Sequence, residues 1–171
     1  MATVRTARAT ARVNLAAIEH NIRVLKETTG VPVLAVVKAD GYGHGAVPVA
    51  LAAKSAGADW LGVAFLDEAF ELRNNNVPGP ILAWLLDESD NFSEAIDLDI
   101  DLSVSSIEML RKISLVAKQR GMNAKVHVEV ETGLSRAGVA IADFENFFSN
   151  FSTFENVELI SIWSHLACAD E

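Results

Sequence analysis

Cys168 is the single cysteine in a chain of 171 residues, which excludes an intrachain disulfide. A reducing compartment, the cytoplasm, is the simplest setting for such a chain. Basic residues are also few: 14 Lys and Arg against 23 Asp and Glu leave a net charge of -9. They are scattered, so the clustered positive charge that grips a phosphate backbone or an anionic membrane is missing. This argues against nucleic acid and membrane as partners. No apolar run approaches the ~20 residues of a membrane-spanning helix. Residues 1–8 carry two arginines with no apolar stretch behind them, which does not read as a secretory signal. Missing too is a Gly-x-Gly-x-x-Gly after the first strand pattern, the mark of an open dinucleotide-binding sheet.

What is present is a regular alternation in a chain that is half hydrophobic, ordinary for a globular protein. Asn14 can cap a first helix whose Leu15, Ile18, Ile22 and Leu25 recur on one face. Gly30 ends it, and Pro32 keeps it from resuming. Residues 33–37 form a continuous apolar run, suited to a strand in a parallel sheet covered on both faces. An alanine-rich helix from Ala46 stops at Gly57, and residues 60–65 make a second strand. Asp67 caps a short helix to Asn74, and Pro78-Gly79-Pro80 turns the chain into a strand at 81–84. A weaker helix at 93–96 precedes a strand at 101–104. The acidic run 97–101 reads as a solvated turn rather than a metal site. Ser105 with Glu108 makes a capping-box pattern for a long amphipathic helix that Gly121 terminates. A strand at 125–130, a helix at 144–148 and a strand at 158–163 complete the pattern.

Strands alternating with helices at short spacing make βα units, hence an α/β protein with a parallel sheet. Without a dinucleotide fingerprint, the expectation narrows to a parallel (β/α)8 TIM-type barrel. Such a barrel takes roughly 250 residues and eight strands. About six βα units are legible, and the sequence stops just after a strand. Residues 1–171 are therefore expected to be the N-terminal part of a barrel, incomplete as it stands.

In a βα barrel the working residues sit at the carboxyl ends of strands. Lys38 ends the first strand, in Val37-Lys38-Ala39-Asp40-Gly41-Tyr42-Gly43-His44. A lysine at the foot of a buried valine-rich strand is poorly hydrated, which favours the free amine as a nucleophile toward a carbonyl. Glycines let backbone approach a ligand, and Tyr42 offers a hydroxyl. The bland alternative is a surface lysine whose head reaches water. Arg136 follows the fifth strand, and its guanidinium can fork onto a carboxylate or phenolate; otherwise it is a solvated loop residue. His165 follows the sixth strand and can stack on a ring, or be a satisfied core histidine. Trp60, Trp84 and Trp163 read as barrel core, and Cys168 as a small packed residue.

The segment around Lys38 closely resembles the cofactor-lysine motif of alanine racemases, whose lysine holds pyridoxal 5'-phosphate (PLP). Residues 13–21, with the pair His20-Asn21, resemble that family's opening helix. Glu131-Thr132-Gly133-Leu134-Ser135-Arg136-Ala137-Gly138 is similar to its Asp-Thr-Gly-Met-x-Arg-x-Gly segment. Ser164-His165-Leu166-Ala167-Cys168-Ala169-Asp170-Glu171 is similar to its Thr-His-Phe-Ala-x-Ala-Asp-Glu segment. The resemblance spans nearly the whole chain, with four segments in order.

The resemblance implies a PLP-dependent amino-acid racemase, an isomerase that interconverts L-alanine and D-alanine and supplies D-alanine for peptidoglycan. It implies Lys38 as catalytic and cofactor lysine, and Tyr42, Arg136 and His165 as cofactor-binding. Arg136 would also face the substrate carboxylate, and His165 would pack on the pyridine ring. No metal is implied. It further implies a cytoplasmic homodimer, with the second base on a C-terminal β-domain of the partner subunit. That domain and the last barrel strands lie beyond these residues, so activity of this piece alone is not expected. Glu129 stands where many members carry a lysine that can be carbamylated. A glutamate is an anion without modification and could orient Arg136; otherwise it merely faces a barrel-layer partner. Glu131 replaces the usual aspartate. Two other readings remain: a PLP-binding barrel protein for cofactor homeostasis without racemase activity, and a PLP-dependent decarboxylase of the same barrel class.

Overall fold

Asn14 opens the first helix as its sequence suggests: its side chain accepts a hydrogen bond from Ala17 N, one of the unpaired amides of a helix start. Gly30, at φ 66°, closes it with a left-handed cap. The same logic runs down the chain in a computed structural model that describes residues 9–169. Residues 1–8, read above for a secretory signal, lie outside the described residues. So do Asp170 and Glu171 of the last motif. The elements are α1 (Leu15–Thr29), β1 (Leu34–Val36), α2 (Lys38–Gly43), α3 (Ala46–Ser55), β2 (Trp60–Val63), α4 (Leu66–Asn74) and β3 (Ile81–Ala83). Then come α5 (Phe92–Asp97), β4 (Asp101–Val104), α6 (Ile107–Arg120), β5 (Ala124–Glu129), a 3-10 turn (Ile141–Asp143), α7 (Phe144–Phe151) and β6 (Val157–Trp163).

The six strands form one parallel sheet in the order β1-β2-β3-β4-β5-β6. β1 and β6 stay at its two edges, so the sheet is not closed. This is the expected α/β architecture, an incomplete parallel barrel. The helix-facing side is the core. Leu61, Ile81, Leu102, Val126 and Val128 are fully buried against Ala69, Leu72, Leu110, Ile113 and Ala117. Each large side chain removed from water there stabilises the fold by about 1.5–3 kcal/mol. No helix among the described residues is long and apolar enough to cross a membrane.

Several expectations need correction. The strand at 33–37 is covered on one face only: Ala35 and Val37 are buried, while Leu34 and Val36 are exposed on the concave side of the open sheet. Leu25 is half exposed, because Lys26 takes over at that end of α1, bonding Gly57 O and pairing with Asp59 at 3.0 Å. Asp67 does not cap α4. Glu68 does, accepting from Ala64 N and Phe65 N at 2.8 and 3.0 Å. The cap of α6 is Ser106, one residue after Ser105, and its hydroxyl accepts from Met109 N. The acidic run is solvated only in part. Asp97 pairs with Arg120 and Asp99 with Lys125, but Asp101 is 1% exposed.

Asp101 belongs to a polar seam on the concave face. Its Oδ2 accepts from Trp60 Nε1 at 2.9 Å and lies 3.1 Å from His127 Nε2, while His127 Nδ1 is 2.7 Å from Ser161 Oγ. Among the described residues Asp101 Oδ1 has no partner. Trp60, expected as plain core, is thus anchored to a carboxylate.

Candidate active site

β1 ends where Val37 N donates to Gly62 O at 2.8 Å, and Lys38 leaves the sheet at once. The next four residues, Ala39, Asp40, Gly41 and Tyr42, have φ between 52° and 59° and ψ between 40° and 53°: a left-handed turn. For each residue other than glycine that conformation costs roughly 1–2 kcal/mol, so the turn exists only because it is tied down. Gly41 N donates to Val37 O, Gly45 N to Asp40 O, and His44 Nδ1 bonds Gly41 O at 2.9 Å. Asp40 Oδ1 accepts from Ala46 N at 2.8 Å, which also starts α3. Glu68 Oε1 accepts from Ala39 N at 2.6 Å.

This turn points Lys38 and Tyr42 into a cavity of about 310 Å³. Leu34, Val36 and Leu82 form its apolar floor, Trp84 and Trp163 an aromatic wall, and Lys38, Tyr42, Arg136 and His165 its polar lining. Lys38 is half-buried, not sealed in, with Nζ 5.8 Å from the Trp84 ring centre and 5.9 Å from that of Tyr42. Trp163 is fixed by its Nε1, which donates to Ser103 Oγ at 2.9 Å, and its ring lies 6.2 Å from Trp84 at 57°. Lys38, Tyr42, Arg136 and His165, singled out from the sequence, therefore meet at one cavity. Among the described residues none of the four side chains has a hydrogen-bond or salt-bridge partner, so their polar ends are available to a ligand.

The loop bearing Arg136 has its own scaffold. Val139 N donates to Glu129 O and Glu131 N to Val139 O, folding residues 131–138 back on the end of β5. Gly138, at φ 112°, sits where a Cβ would lie 2.6 Å from Glu131 N. Glu131 gathers the loop: amides of Ser135 and Gly133 hold its carboxyl below the usual range. Thr132 and Ser164 hydroxyls bond across to the end of β6, linking this loop to the segment of His165.

Glu129 is placed apart. It is 3% exposed at the end of β5 and does not line the cavity. Burial pushes its carboxyl up, opposed by the Arg136 guanidinium. The arginine is near enough to be felt, yet no hydrogen bond or salt bridge joins the two. The sequence reading missed Trp84 and Trp163 as cavity residues. The signal was available: both stand at or just past the carboxyl end of a strand, as Lys38 does. Cys168 is exposed, not packed. Among the described residues no His, Cys, Asp or Glu cluster could hold a metal ion.

Residues 13–171 match the family model described as alanine racemase, N-terminal domain. The alanine racemase of Thermobifida fusca is 44% identical over 167 residues, which cover 95% of this chain and 45% of that protein. The Mycolicibacterium smegmatis alanine racemase is 49% identical over 133 residues, 77% of this chain and 34% of the relative. The crystal structure of alanine racemase from D-cycloserine producing Streptomyces lavendulae superposes with a TM-score of 0.86 at 40% identity, covering 92% of this chain and 42% of that one. The chain thus spans less than half the length of these relatives. Fold, motif order and similarity agree, and the chain belongs to the alanine racemase family.

Proposed function

We propose that the protein is a PLP-dependent alanine racemase, interconverting L-alanine and D-alanine in the cytoplasm as a homodimer. The observation that carries this reading is the convergence of Lys38, Tyr42, Arg136 and His165, all without polar partners among the described residues, on one aromatic-walled cavity. The donor set fits PLP: an amine for its aldehyde, a guanidinium and a phenol for its anionic oxygens, and flat aromatic surface for its ring. Bound there, PLP supplies an electron sink for the carbanion left when an amino acid loses its Cα proton.

The chain's residues do the rest. Lys38 Nζ would hold the cofactor and would take the Cα proton of D-alanine on one face. Arg136 orients the substrate carboxylate and a cofactor ring oxygen, with forked geometry that a lysine cannot imitate. His165, on the lining of the same cavity, would pack beside the ring. The apolar floor keeps water from the reacting carbon. Inversion needs a base on each face, and the partner subunit supplies the second one. Glu129, which is an anion without carbamylation once ionised, biases Arg136, so activity is independent of dissolved carbon dioxide. The product, D-alanine, serves peptidoglycan synthesis.

The test is racemisation by the full-length protein. With PLP it should convert L-alanine to D-alanine, and Lys38→Ala should reduce the rate to background. PLP binding with no racemisation in the wild type would point instead to a cofactor carrier.

A further inference from the structure

We propose that Glu68 is a positioning residue that sets the direction in which Lys38 leaves β1. The proposal rests on the reading of Lys38 as the cofactor lysine. Glu68 divides its two oxygens between two jobs. Oε2 stays within its own helix start, accepting from Ala64 N and Phe65 N at 2.8 and 3.0 Å. Oε1 reaches the end of the neighbouring strand β1, accepting from Ala39 N at 2.6 Å, a residue 29 positions away in sequence. A helix start needs only the first job, and the second has no part in capping α4.

Ala39 is the residue after Lys38 and the first of the left-handed turn, at φ 52° and ψ 53°. Alanine has no preference for that conformation, so something outside the turn must hold it. The far end of the turn is tied by Asp40 to Ala46 N and by His44 to Gly41 O. Among the described residues, Glu68 is the one side chain bonded to the backbone of residues 37–39. A carboxylate accepting an amide proton makes one of the stronger hydrogen bonds available. Released from it, Ala39 can relax toward ordinary φ, and the Lys38 side chain swings away from Trp84 and the cavity.

The experiment compares Glu68→Asp and Glu68→Gln in the full-length protein. Aspartate keeps the charge beside the start of α4 but is one methylene too short to reach Ala39 N as well. Glutamine keeps the length but offers one accepting oxygen for two sites. The apo proteins are titrated with PLP, and covalent binding is read as a visible band that borohydride reduces. Both variants should bind PLP about tenfold more weakly, the size expected for losing one charged hydrogen bond. Melting of the apo proteins should stay close to wild type for Glu68→Asp. Wild-type PLP affinity in Glu68→Asp would reduce Glu68 to a helix cap and overturn the proposal. Amide exchange in the wild type supplies a test that needs no variant. The amide of Ala39, an exposed residue, should be protected at least about tenfold, and free exchange there would refute the tie to Glu68. Lys38→Ala separates the two claims. If that variant keeps the reducible band, the cofactor-lysine reading fails. If it loses the band while both Glu68 variants bind like wild type, only the positioning role fails.

Discussion

Replacing Gly138 by alanine strikes the loop that presents Arg136 without touching any proposed site residue. The φ of 112° is open to glycine and strained for alanine, which costs of order 1–3 kcal/mol. The new Cβ would also stand 2.6 Å from Glu131 N and 2.8 Å from Val130 C, inside the 3.4 Å where ordinary contact begins. Those atoms cannot retreat freely. Glu131 N donates to Val139 O at 2.9 Å, Val139 N to Glu129 O at 2.7 Å, and Val130 N to Trp163 O at 2.8 Å. Relief of the clash breaks at least one of these bonds, worth about 1 kcal/mol. The sum is a loss of about 2–4 kcal/mol, all of it in the segment between β5 and Arg136. Urea unfolding of the full-length Gly138→Ala variant should show that loss, and PLP should bind several-fold more weakly because Arg136 is no longer held at the cavity. A loss under about 1 kcal/mol together with unchanged PLP affinity would refute the reasoning.

Glu129→Gln should separate stability from function. Burial raises the Glu129 carboxyl above its usual 4.5, so its contribution to stability is present below about that pH and is lost as pH rises through the raised value. The neutral variant should therefore gain on wild type between pH 4.5 and 7, measured by urea unfolding, while its KM for alanine rises; a gap that shrinks with pH would contradict this. Asp101→Ala leaves the half-buried Trp60 N–H and the buried His127 ring nitrogen without their partner, and should cost about 2–4 kcal/mol by thermal or urea melting. A near-neutral result would mean water replaces the carboxylate without penalty. The 171-residue chain expressed alone has two open sheet edges and an exposed apolar floor. It should aggregate or melt without cooperativity and racemise alanine at background, and a monodisperse, fully active product would reverse that expectation.

The parts of the fold legible in the sequence are those specified by near neighbours. Asn14 and Gly30 bracket α1, Gly121 stops α6, and the apolar runs mark the strands to within one or two residues. The cap of α6 slipped by one because Ser105 and Ser106 are adjacent and equally able to cap. What stayed hidden is set at long range. In Ala39-Asp40-Gly41-Tyr42 only Gly41 and, more weakly, Asp40 tolerate a left-handed turn, and the side-chain tie to its near end comes from Glu68. The burial of Asp101 depends on Trp60 and His127, 41 and 26 residues away. The meeting of Lys38, Arg136 and His165 at the candidate cavity was legible, because each follows a strand end. The same rule, applied to Trp84 and Trp163, would have found the aromatic wall.

The most direct measurement is where the cofactor attaches. The full-length protein is incubated with PLP, reduced with borohydride, digested, and the modified peptide identified by mass spectrometry. A pyridoxyl group on Lys38, at about one per chain and blocked by prior exchange with excess D-alanine, is the expected result. Label on Lys54, Lys125 or another lysine, with Lys38 unmodified, would contradict the assignment of the cavity between β1 and β6 as the PLP site.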